Sequence, residues 1–144
     1  MTGGIGGVHR GVEQTWDVSS DLTELRRTPV AVVCAGAKSI LDIPRTLEYL
    51  ETLAVPVIGY KTDFFPAFFS PSSGIKSQCR MDSADQVASF LRAREMLGVC
   101  GGSVIGVPIP EEYAAEGLVV EEATQRALQE ATQAKISGAE VMLQ

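Results

Sequence analysis

One stretch constrains this chain more than any other: Thr28-Pro-Val-Ala-Val-Val-Cys-Ala-Gly-Ala-Lys-Ser-Ile-Leu-Asp42. Val30 to Cys34 is a run of mostly β-branched or apolar residues, which reads as a buried strand. Three small residues follow, Ala35, Gly36 and Ala37, and then Lys38, where a helical pattern begins. Open α/β sheets place their chemistry outside the carboxyl ends of parallel strands. A lysine there, in a loop stripped of bulk, suits imine formation with a carbonyl compound. The plainer reading is a lysine reaching from a helix start into water, where its charge sits slightly unfavourably against the helix dipole.

The flanks extend this into an α/β pattern. Ile40, Leu41, Ile43, Leu47, Leu50 and Leu53 mark the apolar face of a helix, with Pro44 in its first turn. Val55-Pro-Val-Ile-Gly59 reads as a second strand, so strand, helix and strand form a βαβ unit with a parallel pair. Four phenylalanines then cluster around Pro66, the composition of an apolar plug over a core, while Thr62-Asp63 and Ser72-Ser73-Gly74 could face a ligand. Asp82-Ser83-Ala84-Asp85 caps a helix to about Leu97, with Val87, Phe90, Leu91 and Met96 facing inward and Gly98 ending it. Gly102 to Pro110 reads as a third strand. Val119 to about Ile136 has amphipathic helical spacing, broken by Ser137-Gly138. The apolar ending Val141-Met-Leu-Gln144 is unusual for a natural terminus and is a first hint of truncation.

Composition bounds the partners. The 144 residues have one domain's length, and 12 basic against 18 acidic side chains leave a net charge of −6. That balance argues against a nucleic-acid backbone or an anionic membrane as main partner. No apolar run approaches a membrane span, and no charged-then-apolar leader pattern is present. Cys34, Cys79 and Cys100 are odd in number and widely spaced, the pattern of free thiols in the cytoplasm or another reducing compartment.

Upstream of the lysine lie two polar segments. In Met1-Thr-Gly-Gly-Ile-Gly-Gly-Val-His-Arg-Gly11 five of eleven residues are glycine. Such a segment is either a flexible tail or a buried loop whose backbone N–H groups approach an anion; Ile5 and Val8 favour the buried loop. No strand precedes it, so it is not a dinucleotide fingerprint. Further on, Ser20 or Asp21 is placed to cap a short helix running to Arg27, with Glu24 three residues after Asp21. Asp17 and Asp21 flank the hydroxyls of Ser19 and Ser20. A hard divalent cation takes carboxylate and water oxygens, and a phosphorylated sugar takes hydroxyl and backbone donors. Cys34-Ala-Gly-Ala-Lys-Ser39 is not a nucleotide P-loop, because Ala37 and Val32 stand where its glycines are required.

Four segments together carry a family resemblance: Thr2 to Gly11, Asp17-Val-Ser-Ser-Asp-Leu22, Pro29 to Asp42 and Val55-Pro-Val-Ile-Gly-Tyr60. They closely resemble pseudouridine-5′-phosphate glycosidases, the indigoidine synthase A family. Ordered, weaker matches follow in Thr62-Asp63, Pro66 to Phe69, Ser72 to Gly74, Arg80 to Asp82 and Pro108 to Glu111. The resemblance implies an α/β/α layered core with a largely parallel sheet, a homotrimer, and reversible cleavage of the C–C glycosidic bond of pseudouridine 5′-phosphate to uracil and ribose 5-phosphate, assisted by a divalent cation, typically Mn2+. It implies that Lys38 is the nucleophile, attacking C1′ of the ribose to form an imine that serves as electron sink while the bond to the base carbon breaks. Asp17 falls at the metal position, acting through water. Ser19, Ser20 and Asp21 fall at substrate-contacting positions, and Thr2 at a phosphate-holding one. Phe64 stands at a commonly acidic position. The family's proton-donating glutamate and a second substrate-binding lysine belong upstream of the glycine-rich segment, and an asparagine belongs downstream. Residues 1–144 are therefore expected to be the central part of such a domain, with an inactive sugar-phosphate-binding fragment as the alternative.

Overall fold

A computed structural model describes residues 1–134. The expected break at Ser137-Gly138 and the ending at Val141 lie outside the described residues. The elements are β1 (Val8–His9), α1 (Val12–Thr15), α2 (Ser20–Arg27), β2 (Ala31–Cys34), β3 (Leu41–Asp42), α3 (Ile43–Thr52), β4 (Val57–Tyr60), β5 (Cys79–Met81), α4 (Ala84–Met96), β6 (Ser103–Gly106) and α5 (Ala114–Gln133). No helix among them is long and apolar enough to cross a membrane.

The expected parallel α/β core is present. Four strands form one sheet in the order β2-β6-β4-β5, every neighbouring pair parallel. β2 and β4 belong to it as the βαβ pattern requires, but β6 lies between them, pairing Val32 and Val57 with Val104. Side chains alternate across a strand. Cys34, Val57 and Val104 thus enter a core with Leu22 and Leu25 of α2 and Leu50 of α3. Ile58 and Ile105, one residue along, are also buried but fall outside that cluster.

Several boundaries differ from the sequence reading, each for a local reason. Leu41 and Asp42 do not open a helix: they pair antiparallel with His9 and Val8 as β3. The helix starts only at Ile43, where the Asp42 side chain accepts the Arg45 N–H and Pro44 occupies the first turn. Lys38 is therefore not at a helix start, and the dipole argument against it falls away. Ser19, not Ser20 or Asp21, caps α2, its hydroxyl accepting the Asp21 N–H at 3.2 Å. The short strand β5 carried no sequence signal, being three mixed residues at the sheet edge. Met96, expected inward, is 86% exposed. In α5, the expected amphipathic spacing does form a helix, in which Val119 and Val120 are exposed and Leu128 and Ala131 half-buried.

Thr46 ties the N-terminal ladder to α3. Its hydroxyl donates to Asp42 O at 2.7 Å and accepts from Val8 N at 2.9 Å, with both Thr46 and Val8 buried. Thr46→Val keeps the shape but leaves the Val8 N–H without an acceptor, so it should cost about 1–3 kcal/mol in denaturant unfolding. Thr52→Val, which removes an exposed hydroxyl bonded to Glu48 O, should stay within about 0.5 kcal/mol. Equal effects would show that Thr46 is no more than a helix-surface hydroxyl.

Candidate active site

The glycine-rich segment is neither a tail nor a wide anion loop. It runs beside the end of β2 and continues the parallel pairing by backbone bonds alone. Thr2 N–H donates to Val33 O at 2.9 Å, Ala35 N–H to Gly3 O at 2.7 Å, Ile5 N–H to Gly36 O at 3.0 Å, and Lys38 N–H to Ile5 O at 3.1 Å. Ile5 and Ala37 form a parallel bridge and both are buried. Lys38 is fixed from its other side as well, its carbonyl accepting the Leu41 N–H at 2.9 Å. The lysine thus leaves a loop whose backbone is held at both peptide groups, beyond the carboxyl end of a parallel strand. That strand is not the buried one expected, because β2 lies at the sheet edge, where Val30 is 42% exposed and only Cys34 is buried.

The same segment gathers the second polar cluster. Gly6 N–H donates to Asp21 Oδ2 at 2.8 Å, and Ser19 N–H donates to Gly7 O at 2.9 Å. His9 N–H donates to Asp17 O at 3.0 Å, and the His9 Nδ1 lies 3.7 Å from Asp17 Oδ2. Asp21 therefore does not serve as the helix cap; its carboxylate is aimed back at the glycine backbone. Ser20 is exposed on the first turn of α2, its carbonyl taking the Thr23 hydroxyl. Thr2 and Asp21 share a groove of about 280 Å³ with Gly4, Glu24 and Thr28. Lys38 is not a wall of that groove. Gly4 is, and the Lys38 stem lies against Gly4: a Cβ added there would meet Lys38 Cγ at 3.3 Å. The groove and the lysine are thus neighbours separated by one residue without a side chain.

The loop after β4 closes over the same end of the sheet. Gly36, at φ 111°, leaves room for the Pro66 backbone, and Gly36 and Ala67 form a bridge. Of the four phenylalanines expected to plug the core only Phe65 does so: Phe65 and Pro66 are fully buried against Gly106 at the end of β6, while Phe64 is 37% exposed and Phe68 and Phe69 are half-buried. Asp63 is drawn away from the site, its carboxylate 3.2 Å from Arg80. Ser73 donates to Phe65 O at 2.6 Å and so braces the loop. Cys34 ends β2 beneath these loops, and burial pushes its thiol pKa up, offset in part by a hydrogen bond with the Gly36 backbone. That makes it a packing residue and not a rival nucleophile.

The donors for a metal are sparse. Among the described residues no group of three or more His, Cys, Asp or Glu side chains could hold an ion. Asp17, with His9 at its flank, offers one partly exposed carboxylate. These residues fit a hydrated cation held through water at one point, not a closed protein cage. The sequence reading missed the contact of the Phe68 ring with Gly4. The signal was Gly4 itself, a small residue forced by a neighbour that only the fold reveals.

The family model described as indigoidine synthase A like protein matches residues 1–142. A pseudouridine-5′-phosphate glycosidase of Caldanaerobacter subterraneus is 54% identical over 138 residues, 96% of this chain and 45% of that protein. One from Geobacillus kaustophilus is 56% identical over 140 residues, 97% of this chain and 46% of that protein. Among solved structures, the prealnumycin C-glycosynthase AlnA, determined in complex with ribulose 5-phosphate, superposes with a TM-score of 0.88 at 42% identity, covering 98% of this chain and 46% of that one. The chain spans less than half the length of these relatives. With its glycine segment, lysine loop and parallel sheet matched throughout, the chain belongs to the indigoidine synthase A like protein family.

Proposed function

We propose that this chain carries the nucleophile of a pseudouridine-5′-phosphate glycosidase, and that the nucleophile is Lys38. The observation that carries the reading is Lys38 itself, fixed through its backbone at the end of β2 and separated only by Gly4 from a groove bearing the Thr2 hydroxyl and the Asp21 carboxylate. Relatives at 54% and 56% identity bear that glycosidase name, and the AlnA structure holds a five-carbon sugar phosphate.

The chemistry balances as follows. In the synthetic direction the Lys38 Nζ adds to the C1′ aldehyde of open-chain ribose 5-phosphate, and loss of water leaves a protonated imine. Uracil C5 then supplies the electron pair of the new C–C bond, the C=N pair moves onto nitrogen, and the C5 proton leaves to a base. The sugar 4′-hydroxyl closes on C1′ and displaces the amine. Cleavage runs the same steps in reverse: the nitrogen lone pair rebuilds C=N, uracil departs with the C–C electron pair and takes a proton at C5, and water frees the lysine. By the resemblance, C5 protonation belongs to a glutamate that none of these 144 residues matches. Ser19, Ser20 and Asp21 bind the sugar, and Thr2 helps hold its phosphate. The Gly6 N–H keeps the Asp21 carboxylate turned toward the glycine backbone. Asp17 would hold a Mn2+ ion through water, and the ion would supply charge for the oxygens of the substrate. The same reading expects a homotrimer.

Borohydride reduction in the presence of ribose 5-phosphate should leave one covalent sugar-phosphate adduct, mapped by mass spectrometry to Lys38. Lys38→Ala should abolish it. An equal adduct in that variant would remove Lys38 from the role. Mn2+ should accelerate trapping in the wild-type chain and have no effect in Asp17→Asn; equal acceleration in both would take the ion away from Asp17.

A further inference from the structure

Phe68 holds a conformation that its side chain does not favour. Its φ is +61°, in the region that L residues rarely adopt. Ala67 N–H donates to Ser70 O at 2.9 Å and Ser70 N–H to Ala67 O at 3.3 Å, so Phe68 and Phe69 are the two central residues of a tight turn. Positive φ at the first of them alone is the pattern of a type II′ turn, whose first central position belongs to glycine. An aromatic residue there is strained, and strain of this kind persists only where the surroundings hold it.

The surroundings are the lysine loop. Phe68 N–H donates to Ala35 O at 2.9 Å, three residues before Lys38 on the same loop. The ring stands edge-on to Phe69, their centroids 4.5 Å apart, and lies against the glycine segment. A Cβ on Gly4 would fall 2.5 Å from Phe68 Cε2 and 3.3 Å from Lys38 Cγ. The ring and the lysine stem therefore converge on one point, and Gly4 lacks a side chain where they meet.

We infer that Phe68 is a positioning residue for Lys38: its strained turn holds the ring against Gly4, and the ring and Gly4 together limit where the lysine stem can swing. This rests on the role proposed for Lys38. A longer flexible side chain loses rate when its reactive end is free to wander, and a wall along its stem restores the approach. The ring does not touch the groove lined by Thr2 and Asp21, so it acts on the amine and not on sugar-phosphate binding.

The test uses variants that accept the turn. In the 144-residue chain, Phe68→Gly accepts the turn without strain and removes the ring, and Phe68→Asn removes the ring with a residue that tolerates positive φ better than phenylalanine. The maximal rate of borohydride trapping with ribose 5-phosphate should fall about tenfold or more in both, while the half-saturating sugar-phosphate concentration stays within about twofold. Phe69→Gly, the matched control, should lower the melting temperature more than Phe68→Gly and leave the trapping rate nearer to wild type. A second measurement needs no substrate. Gly4→Ala should lower the melting temperature in the wild-type background and much less in Phe68→Gly, because the obstructing ring is gone. Wild-type trapping rates in Phe68→Gly, with a clear adduct on Lys38, would overturn the positioning role alone. A rise in half-saturation without loss of maximal rate would make Phe68 a binding residue and overturn it as well. Additive effects of Gly4→Ala and Phe68→Gly would remove the contact on which it stands. Absence of any adduct in the wild-type chain would overturn the Lys38 reading and this inference with it.

Discussion

Everything at the candidate site depends on a strip of backbone hydrogen bonds between Thr2–Ile5 and Val33–Lys38. Side chains contribute little to this strip, because the pairing is N–H to C=O and glycine and alanine at Gly3, Gly4 and Ala35–Ala37 let the two backbones approach. That is what lets two segments far apart in sequence lie close enough for a lysine, a carboxylate and a hydroxyl to share one end of a sheet. Buried peptide groups must be paired, and the strip pairs those of a loop that otherwise would have no partners. The buried Ile5 and Ala37 then convert the pairing into packing.

The strip also explains why the site is divided into neighbouring parts. On one side of Gly4 lies a groove with Thr2, Asp21 and Glu24 over an apolar wall that includes Leu25 and Val32. On the other lies the lysine stem, overlain by the turn at Phe68. Asp17, which follows α1, pairs with His9 further along the glycine-rich segment. A nucleophile that must meet a sugar carbon needs a rigid base and a bounded stem more than it needs polar neighbours. In the role proposed for Lys38, its backbone bonds and the aromatic turn answer those two needs separately.

Much of this was readable from residues alone. The β-branched run before Lys38 named the strand but not its burial, since β2 lies at the sheet edge with only Cys34 buried, and the small residues after it named a close approach. The alternation of strands and helices named a parallel sheet, because βαβ spacing leaves few other solutions. Ser83, inside the expected Asp82–Asp85 cap, capped its helix as such residues do. What was not readable was long-range. Leu41 and Asp42 carry helix-compatible spacing, and only their pairing with the N-terminal segment turns them into a strand. Asp21 looks like a cap until Gly6 claims its carboxylate and Ser19 takes the cap. Phe68 reads as plug material beside Phe65, since nothing local announces a left-handed φ in a phenylalanine. β6 inserts between β2 and β4 because the sheet order is settled by tertiary packing, which no local pattern encodes.

The most direct test of the strip is native-state amide hydrogen exchange on the unmodified chain. Exchange protection reports whether a backbone bond must open before the amide meets solvent. The Ala35, Ile5 and Lys38 amides, in that order along the strip, should be protected to the same order as Val104 in the centre of the sheet. Exchange of Ile5 and Lys38 at the rate of an exposed loop, with Val104 still protected, would contradict the claim that the glycine segment fixes the lysine.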